Sequence, residues 1–479
     1  MPRHRRLHAP DRRSSGRAAR ARAGDPTRVA RLVTVVIVAA GSVLTSCAGT
    51  SGSQVEVRSK EDVAREAAEA QGATTTTTQP PDCAETLPPE GQAAQLLMVL
   101  TTTPAEAAAP ISSGYVGGFG LKGNQSKDVA AQVSAAVAQA PLPSIVASDE
   151  EGGTVQRLRS TIGQFPSAKE LAKQPPDQVA KVYGDHAAAM AQLGFTMDFA
   201  PVADVGTGSG LGTRTFGSDP AQVASYVTAI IPAITQAGIT PVVKHWPGIG
   251  SGTTDPHKAP DKVSDIDTLR GRDLVPFDAA IAANVPAIMV THAEVPGLTN
   301  AGEPASLSTA AITGELRGRQ KFPGLIITDS LGMGALTKIG SQVALAERTL
   351  IAGSDIALLS GADVAEEAHA AVTDAIREGR FPRDQMLASV RRVLANKGVQ
   401  GQCLDAVARF SSLTRTASST TTPGTGSGTG QTDAGINSSG GGATTGSGTA
   451  TTGTTKGGSG SGTATTPSTT TARTSTTGG

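Results

Sequence analysis

The chain has 479 residues, its 41 Lys and Arg balance 41 Asp and Glu, and aromatic residues make up 3%. That balance excludes the basic footprint of a nucleic-acid-binding surface, and so few rings exclude a broad aromatic binding platform. The length exceeds one usual domain, so the first question is how much of it can build a core.

Residues 1–31 are crowded with arginine and almost free of acids, and they lead into an apolar run at 32–40 that ends in Leu44-Thr45-Ser46-Cys47. A basic start, a short apolar stretch and then small residues form the layout of a secretory signal. The stretch is too short for a secure membrane-spanning helix. Its end resembles a bacterial lipobox, which implies that residues 1–46 are a lipoprotein signal peptide and that Cys47 is the lipidated first residue of the mature protein. Two acyl chains would then hold the protein on the outer face of the cell membrane. An ordinary cleavable signal with an incidental cysteine is the competing reading, and a start codon further downstream would account for part of the long basic leader.

Residues 47–81 read as a linker, ending in a threonine run at 74–78 and Pro80-Pro81. Residues 412–479 read as a disordered tail: from about Ser418 the chain is almost entirely Thr, Gly and Ser, with too little apolar surface to offset the entropy of ordering. Between them, residues 82–411 suffice for one large domain. Cys83 and Cys403 sit at its two edges, and in an oxidising exterior an even pair predicts a disulfide, with two unrelated thiols as the alternative.

Within 82–411, apolar runs rich in β-branched residues recur at 96–99, 116–121, 144–147, 197–202, 240–243, 287–291, 325–328 and 355–359. Such runs suit parallel strands buried on both faces. Between them, 177–193, 220–237, 265–283 and 341–352 are each long enough for a helix. The alternation predicts a single (β/α)8 TIM-type barrel, although the first run also fits a helix. Several runs lead straight into polar residues: Asp149-Glu150-Glu151, Asp204, Lys244-His245, His292 and Asp329-Ser330. In a barrel these line the carboxyl-terminal mouth, where active sites form. No G-x-G-x-x-G or P-loop pattern occurs in this segment, and its histidines are scattered, so neither a cofactor nor a metal is expected.

The densest cluster is Lys244-His245-Trp246-Pro247-Gly248-Ile249-Gly250, followed by Asp255-Pro256-His257. It resembles the K-H-F-P-G-H-G-x-x-x-x-D-S-H signature of the single-domain β-N-acetylglucosaminidases of glycoside hydrolase family 3, the NagZ-like enzymes of peptidoglycan turnover. Ser148 to Arg157, reading S-D-E-E-G-G-T-V-Q-R, is similar to the family's D-Q-E-G-G-R-V-Q-R block. Phe199-Ala200-Pro201-Val202-Ala203-Asp204-Val205, Arg214-Thr215-Phe216-Gly217, Pro304-Ala305-Ser306-Leu307-Ser308 and Ile327-Thr328-Asp329-Ser330 follow in the family's order.

The resemblance implies retaining hydrolysis of terminal β-linked N-acetylglucosamine, with Asp329 as nucleophile and a His257/Asp255 pair as acid/base. The chemistry needs an ionised carboxylate at a rigid strand end, and a D-x-H spacing lets the aspartate fix the imidazole's tautomer. Asp149, Arg157, Arg214, Lys244 and His245 fall where the family binds the terminal sugar. The implied partners are peptidoglycan-derived saccharides such as GlcNAc-MurNAc, and the membrane through the anchor; oligomeric state is left open. Trp246 reads as packing, and Gly248, Gly250 and Gly252 read as freedom for the acid/base loop. Three departures stand out: Ile249 replaces the family's second histidine, Pro256 its serine, and Thr154 its arginine before V-Q-R. Two alternatives stay open, a phosphorolytic enzyme and a non-catalytic muropeptide-binding lipoprotein. A two-domain β-glucosidase is disfavoured, because little but low-complexity sequence follows Ser411.

Overall fold

The structure, a computed structural model, describes residues 82–254, 261–401 and 403–419. The expected signal, Cys47, linker and most of the tail lie outside the described residues, as do Asp255, Pro256 and His257.

Eight parallel strands form one sheet: β1 (Leu97–Thr101), β2 (Gly118–Leu121), β3 (Ile145–Ser148), β4 (Met197–Asp198), β5 (Thr240–Trp246), β6 (Ala287–Val290), β7 (Leu325–Thr328) and β8 (Ala357–Ser360). Their order runs β8-β1-β2-β3-β4-β5-β6-β7, so the sheet curls until its two ends meet. The bridge between Ile327 and Ile356 brings β7 back to the start of β8. This is the (β/α)8 barrel that the alternating runs predict, and its first run is a strand.

The strands are apolar throughout because both of their faces are buried. In β7, Leu325 and Ile327 point into the barrel, where they join Met98, Ile145, Met197, Phe199, Met289 and Leu358. Ile326 between them belongs to the layer under the helices. The helix Pro220–Gln236 shows how that layer is read from sequence. Asp219 caps it by accepting from Ala221 N at 3.0 Å, and Val223, Tyr226, Val227, Ile230, Ile231 and Ile234 make one buried stripe. Each fully buried Ile or Val contributes roughly 1.5–3 kcal/mol by leaving water.

Three expectations need correction. The helix expected over 265–283 is two helices, Ile266–Gly271 and Val275–Ala282, because Arg272 leaves helical geometry and Pro276 opens the second. The run at 197–202 gives only a two-residue strand: Pro201 has no N–H for the ladder, and Val202 returns as a single bridge to Lys244. The stretch 412–419, read as tail, is helical, since the last helix runs over Leu404–Ser419. Ala406 and Phe410, four apart and buried, anchor it, and extending a formed helix costs little.

At the barrel's amino-terminal end, Asp355 accepts from Arg317, Arg392, Ser389 and Ile326 N. Beside it the helix Arg383–Asn396 ends against β5, with Asn396 Nδ2 donating to Thr240 Oγ1 at 2.8 Å. Cys83 and Cys403 are joined by a disulfide, their Cα atoms 5.1 Å apart.

Candidate active site

A cavity of about 410 Å³ opens at the carboxyl ends of the strands. Its polar wall begins with the residues after β3, where Glu150–Gly152 and Val155–Gln156 pair as a short hairpin. Buried Glu150 staples it: Oε1 accepts from Arg157 N at 2.8 Å and Leu158 N at 2.9 Å, and Oε2 meets His186 Nε2 at 2.8 Å. That staple leaves Asp149, Glu151 and Arg157 lining the cavity.

Lys244 and His245 arrive from β5. Lys244 Nζ lies 2.6 Å from both Asp149 Oδ1 and Glu151 Oε1. Arg214 grips Glu151 with two hydrogen bonds, Nε to Oε2 at 2.6 Å and Nη2 to Oε1 at 2.8 Å, and Nη2 lies 3.3 Å from His245 Nε2. The other imidazole nitrogen, Nδ1, donates to Asp204 Oδ2 at 2.7 Å. Arg157 completes the cluster, with Nη2 3.4 Å from Asp149 Oδ2. The five expected binding residues are thus brought together, and Glu151 and Asp204, which the sequence placed at the mouth without a role, organise them.

Burial alone would lift the Glu151 carboxyl, but Lys244 and Arg214 hold it well below the usual carboxylate range. Burial likewise works against the Lys244 ammonium, yet Asp149 and Glu151 raise its pKa above the ordinary value. Glu151 and Lys244 are therefore both charged at neutral pH.

Asp329 follows β7 and lines the same cavity. Its N–H continues the ladder to Val290 O at 2.8 Å, and its Oδ1 accepts from Ser330 N at 2.8 Å, so its backbone is fixed by the strand. Burial pushes its carboxyl up, but His245, His292, the Ser330 N–H and Lys244 outweigh that and hold it below the ordinary value. His292 is buried behind it and donates from Nε2 to Ser330 O at 2.9 Å. Lys122 and Ser360, at the ends of β2 and β8, also line the cavity, with Lys122 Nζ 3.4 Å from Ser360 Oγ. Among the described residues, no group of His, Cys, Asp and Glu is arranged to hold a metal ion.

The family departures also find their places. Ile249 is buried and its N–H donates to Asp204 Oδ1 at 2.8 Å, so the backbone keeps a role that the side chain does not take. Thr154 sits exposed at the hairpin turn, away from the cavity wall. Trp246 is fully buried and its Nε1 donates to Gln320 Oε1 at 2.7 Å, which makes it packing. The glycines read as loop freedom answer instead to close approach: a Cβ on Gly250 would stand 1.8 Å from Val205 O. Behind this segment lies Asp273, fully buried and close against Gly248. Neither of its oxygens accepts a hydrogen bond among the described residues; Arg272 Nη2 approaches Oδ1 at 3.4 Å.

A parallel barrel with interlocked acids and bases at its mouth, and a separately held carboxylate beside them, defines an enzyme for a small polyhydroxylated ligand. Residues 90–396 match the family model for the glycosyl hydrolase family 3 N terminal domain. The chain belongs to that family and is a glycoside hydrolase. It is 39% identical over 312 residues to the beta-hexosaminidase LpqI of Mycobacterium tuberculosis, covering 62% of this chain and 80% of that one. A family 3 glycosyl hydrolase from Mycobacterium smegmatis superposes with a TM-score of 0.62 at 36% identity, over 65% of this chain and 98% of that one. A beta-N-acetylhexosaminidase from Beutenbergia cavernae gives 0.61 at 30% identity, over 65% and 99%.

Proposed function

We propose that the protein is a retaining exo-β-N-acetylglucosaminidase that removes terminal N-acetylglucosamine from peptidoglycan-derived fragments such as GlcNAc-MurNAc. The observation that carries this reading is Asp329, an ionised carboxylate on a strand end in the same cavity as the Asp149, Arg157, Arg214, Lys244 and His245 cluster. The activity named for the relatives supports the substrate class. In the first step Asp329 attacks the anomeric carbon while His257, oriented by Asp255, gives its proton to the departing glycosidic oxygen. In the second His257 takes a proton from water, the water oxygen bonds to the anomeric carbon, and Asp329 leaves. The paired cations and carboxylates offer both donors and acceptors to the sugar hydroxyls. The protein acts as a lipoprotein on the outer face of the cell membrane, held through Cys47, so Cys47→Ala would move it from the membrane fraction to the medium.

The test is release of p-nitrophenol from the β-N-acetylglucosaminide by the full chain and by Asp329→Ala. Turnover by the parent and loss of roughly three orders of magnitude or more in the variant is the expected result, since the covalent step has no substitute. A folded parent that binds N-acetylglucosamine without turnover would overturn the reading.

A further inference from the structure

Away from the sugar-facing cluster, a dense knot of hydrogen bonds lies where the chain enters and leaves residues 255–260. At its centre is Asp261, 2% exposed. Its Oδ1 accepts the N–H of Thr253 at 3.2 Å and of Thr254 at 3.0 Å on the entering side, and of Lys262 at 2.9 Å on the leaving side. Ser251 Oγ accepts from Ser264 N at 3.2 Å, a second tie across the same gap. The knot is anchored on both flanks: Ser209 N donates to Gly252 O at 3.0 Å, and Glu294, beyond β6, donates its N–H to Asp261 O at 2.9 Å. Oδ2 occupies the space a side chain would need at position 252, where a Cβ would stand 1.8 Å away. A buried carboxylate that gathers backbone N–H groups makes charge-assisted bonds, stronger than neutral ones, and here they join the two ends of one loop.

We propose that Asp261, seated over Gly252, is a positioning residue for acid/base catalysis: it fixes the base of the segment that carries Asp255 and His257. The proposal rests on the assignment of His257 as acid/base. A proton donor works only within hydrogen-bond reach of the departing oxygen, and a misplacement of ~1 Å costs on the order of a hundredfold in rate. A loop whose two ends meet on one carboxylate has that reach set at its root.

Leaving groups of different acidity test it. For aryl β-N-acetylglucosaminides kcat/KM reports formation of the glycosyl-enzyme, a step that needs protonation with phenol as leaving group and scarcely needs it with 2,4-dinitrophenol. In the full chain, Asp261→Ala is expected to lower kcat/KM on the phenyl substrate by tenfold or more and on the dinitrophenyl substrate by less than threefold. Asp261→Asn, which keeps one acceptor, should fall between. Gly252→Ala, which displaces the carboxylate from the opposite side, should reproduce the selectivity. His257→Ala is the control. Should it be selective while the folded Asp261 and Gly252 variants lose rate equally on both substrates, or lose none, the clamp is refuted and the acid/base assignment stands. Equal loss on both substrates by His257→Ala itself would overturn the acid/base assignment and the clamp with it.

Discussion

Asp273 is a carboxyl sealed between the two short helices Ile266–Gly271 and Val275–Ala282, and its titration should be visible in the stability of the whole domain. Burial outweighs the pull of Arg272 and, with a smaller push from Asp204, raises its pKa from 3.8 to about 7. The unfolded chain gives up this proton near the ordinary value, while the folded chain keeps it until neutrality. Between those two points the fold binds more protons than the unfolded state, so stability falls as pH rises from about 4 to about 7 and is level above. At ~1.4 kcal/mol for each pH unit within that window, the penalty grows by about 2.5 kcal/mol between pH 5 and pH 8. For a domain of ~320 residues this is a Tm difference of about 4 °C, taking ~2.1 cal/mol/K per residue for the unfolding entropy. Asp273→Asn removes the titration. Its unpartnered amide carries its own cost, but that cost does not depend on pH, so the informative quantity is the variant's Tm minus the parent's at each pH. Scanning calorimetry should find this difference about 4 °C more favourable to the variant at pH 8 than at pH 5. The same difference at both would mean that Asp273 is solvated or paired in solution, and would refute the reasoning.

Glu151→Gln leaves Lys244 and Arg214 without their shared buried counter-charge, so kcat/KM on the p-nitrophenyl substrate should drop on the order of a hundredfold, mostly through KM. A normal KM with lowered Tm would reduce Glu151 to a purely structural role. Cys83→Ser opens a link between residues 320 apart, and calorimetry should show a loss of about 2–5 kcal/mol with activity retained at low temperature. Gly250→Ala forces a methyl group into Val205 O and should yield little folded enzyme, judged by circular dichroism and by activity in the soluble fraction.

The barrel was legible because eight strands buried on both faces leave eight uninterrupted apolar runs, and because strand ends in this fold turn polar where the site is. The five expected binding residues and Asp329 could be placed around one cavity at that mouth for the same reason. What escaped was set by partners distant in sequence. Glu151 stood in plain view inside its motif, yet its role depends on Lys244 arriving from β5 and Arg214 from the loop after β4. Lys122 follows β2 and Ser360 closes β8, without any motif around them. The break at Arg272 was hidden by even helical spacing on both sides, and only Pro276 hinted at it. The glycines of the K-H-W-P-G-I-G segment were misjudged because a missing side chain gives the same letter whether it grants freedom or admits a neighbouring backbone.

The bond between Cys83 and Cys403 turns nearly the whole catalytic domain into a covalent ring. A protease that cuts one peptide bond within it, for instance in residues 255–260, opens the ring without releasing a fragment. The nicked enzyme would run as one piece until reduced. Tension applied through the two flanking segments would likewise pass across a single bond between neighbouring anchor points, sparing the strands that hold Asp329 and Lys244 in register.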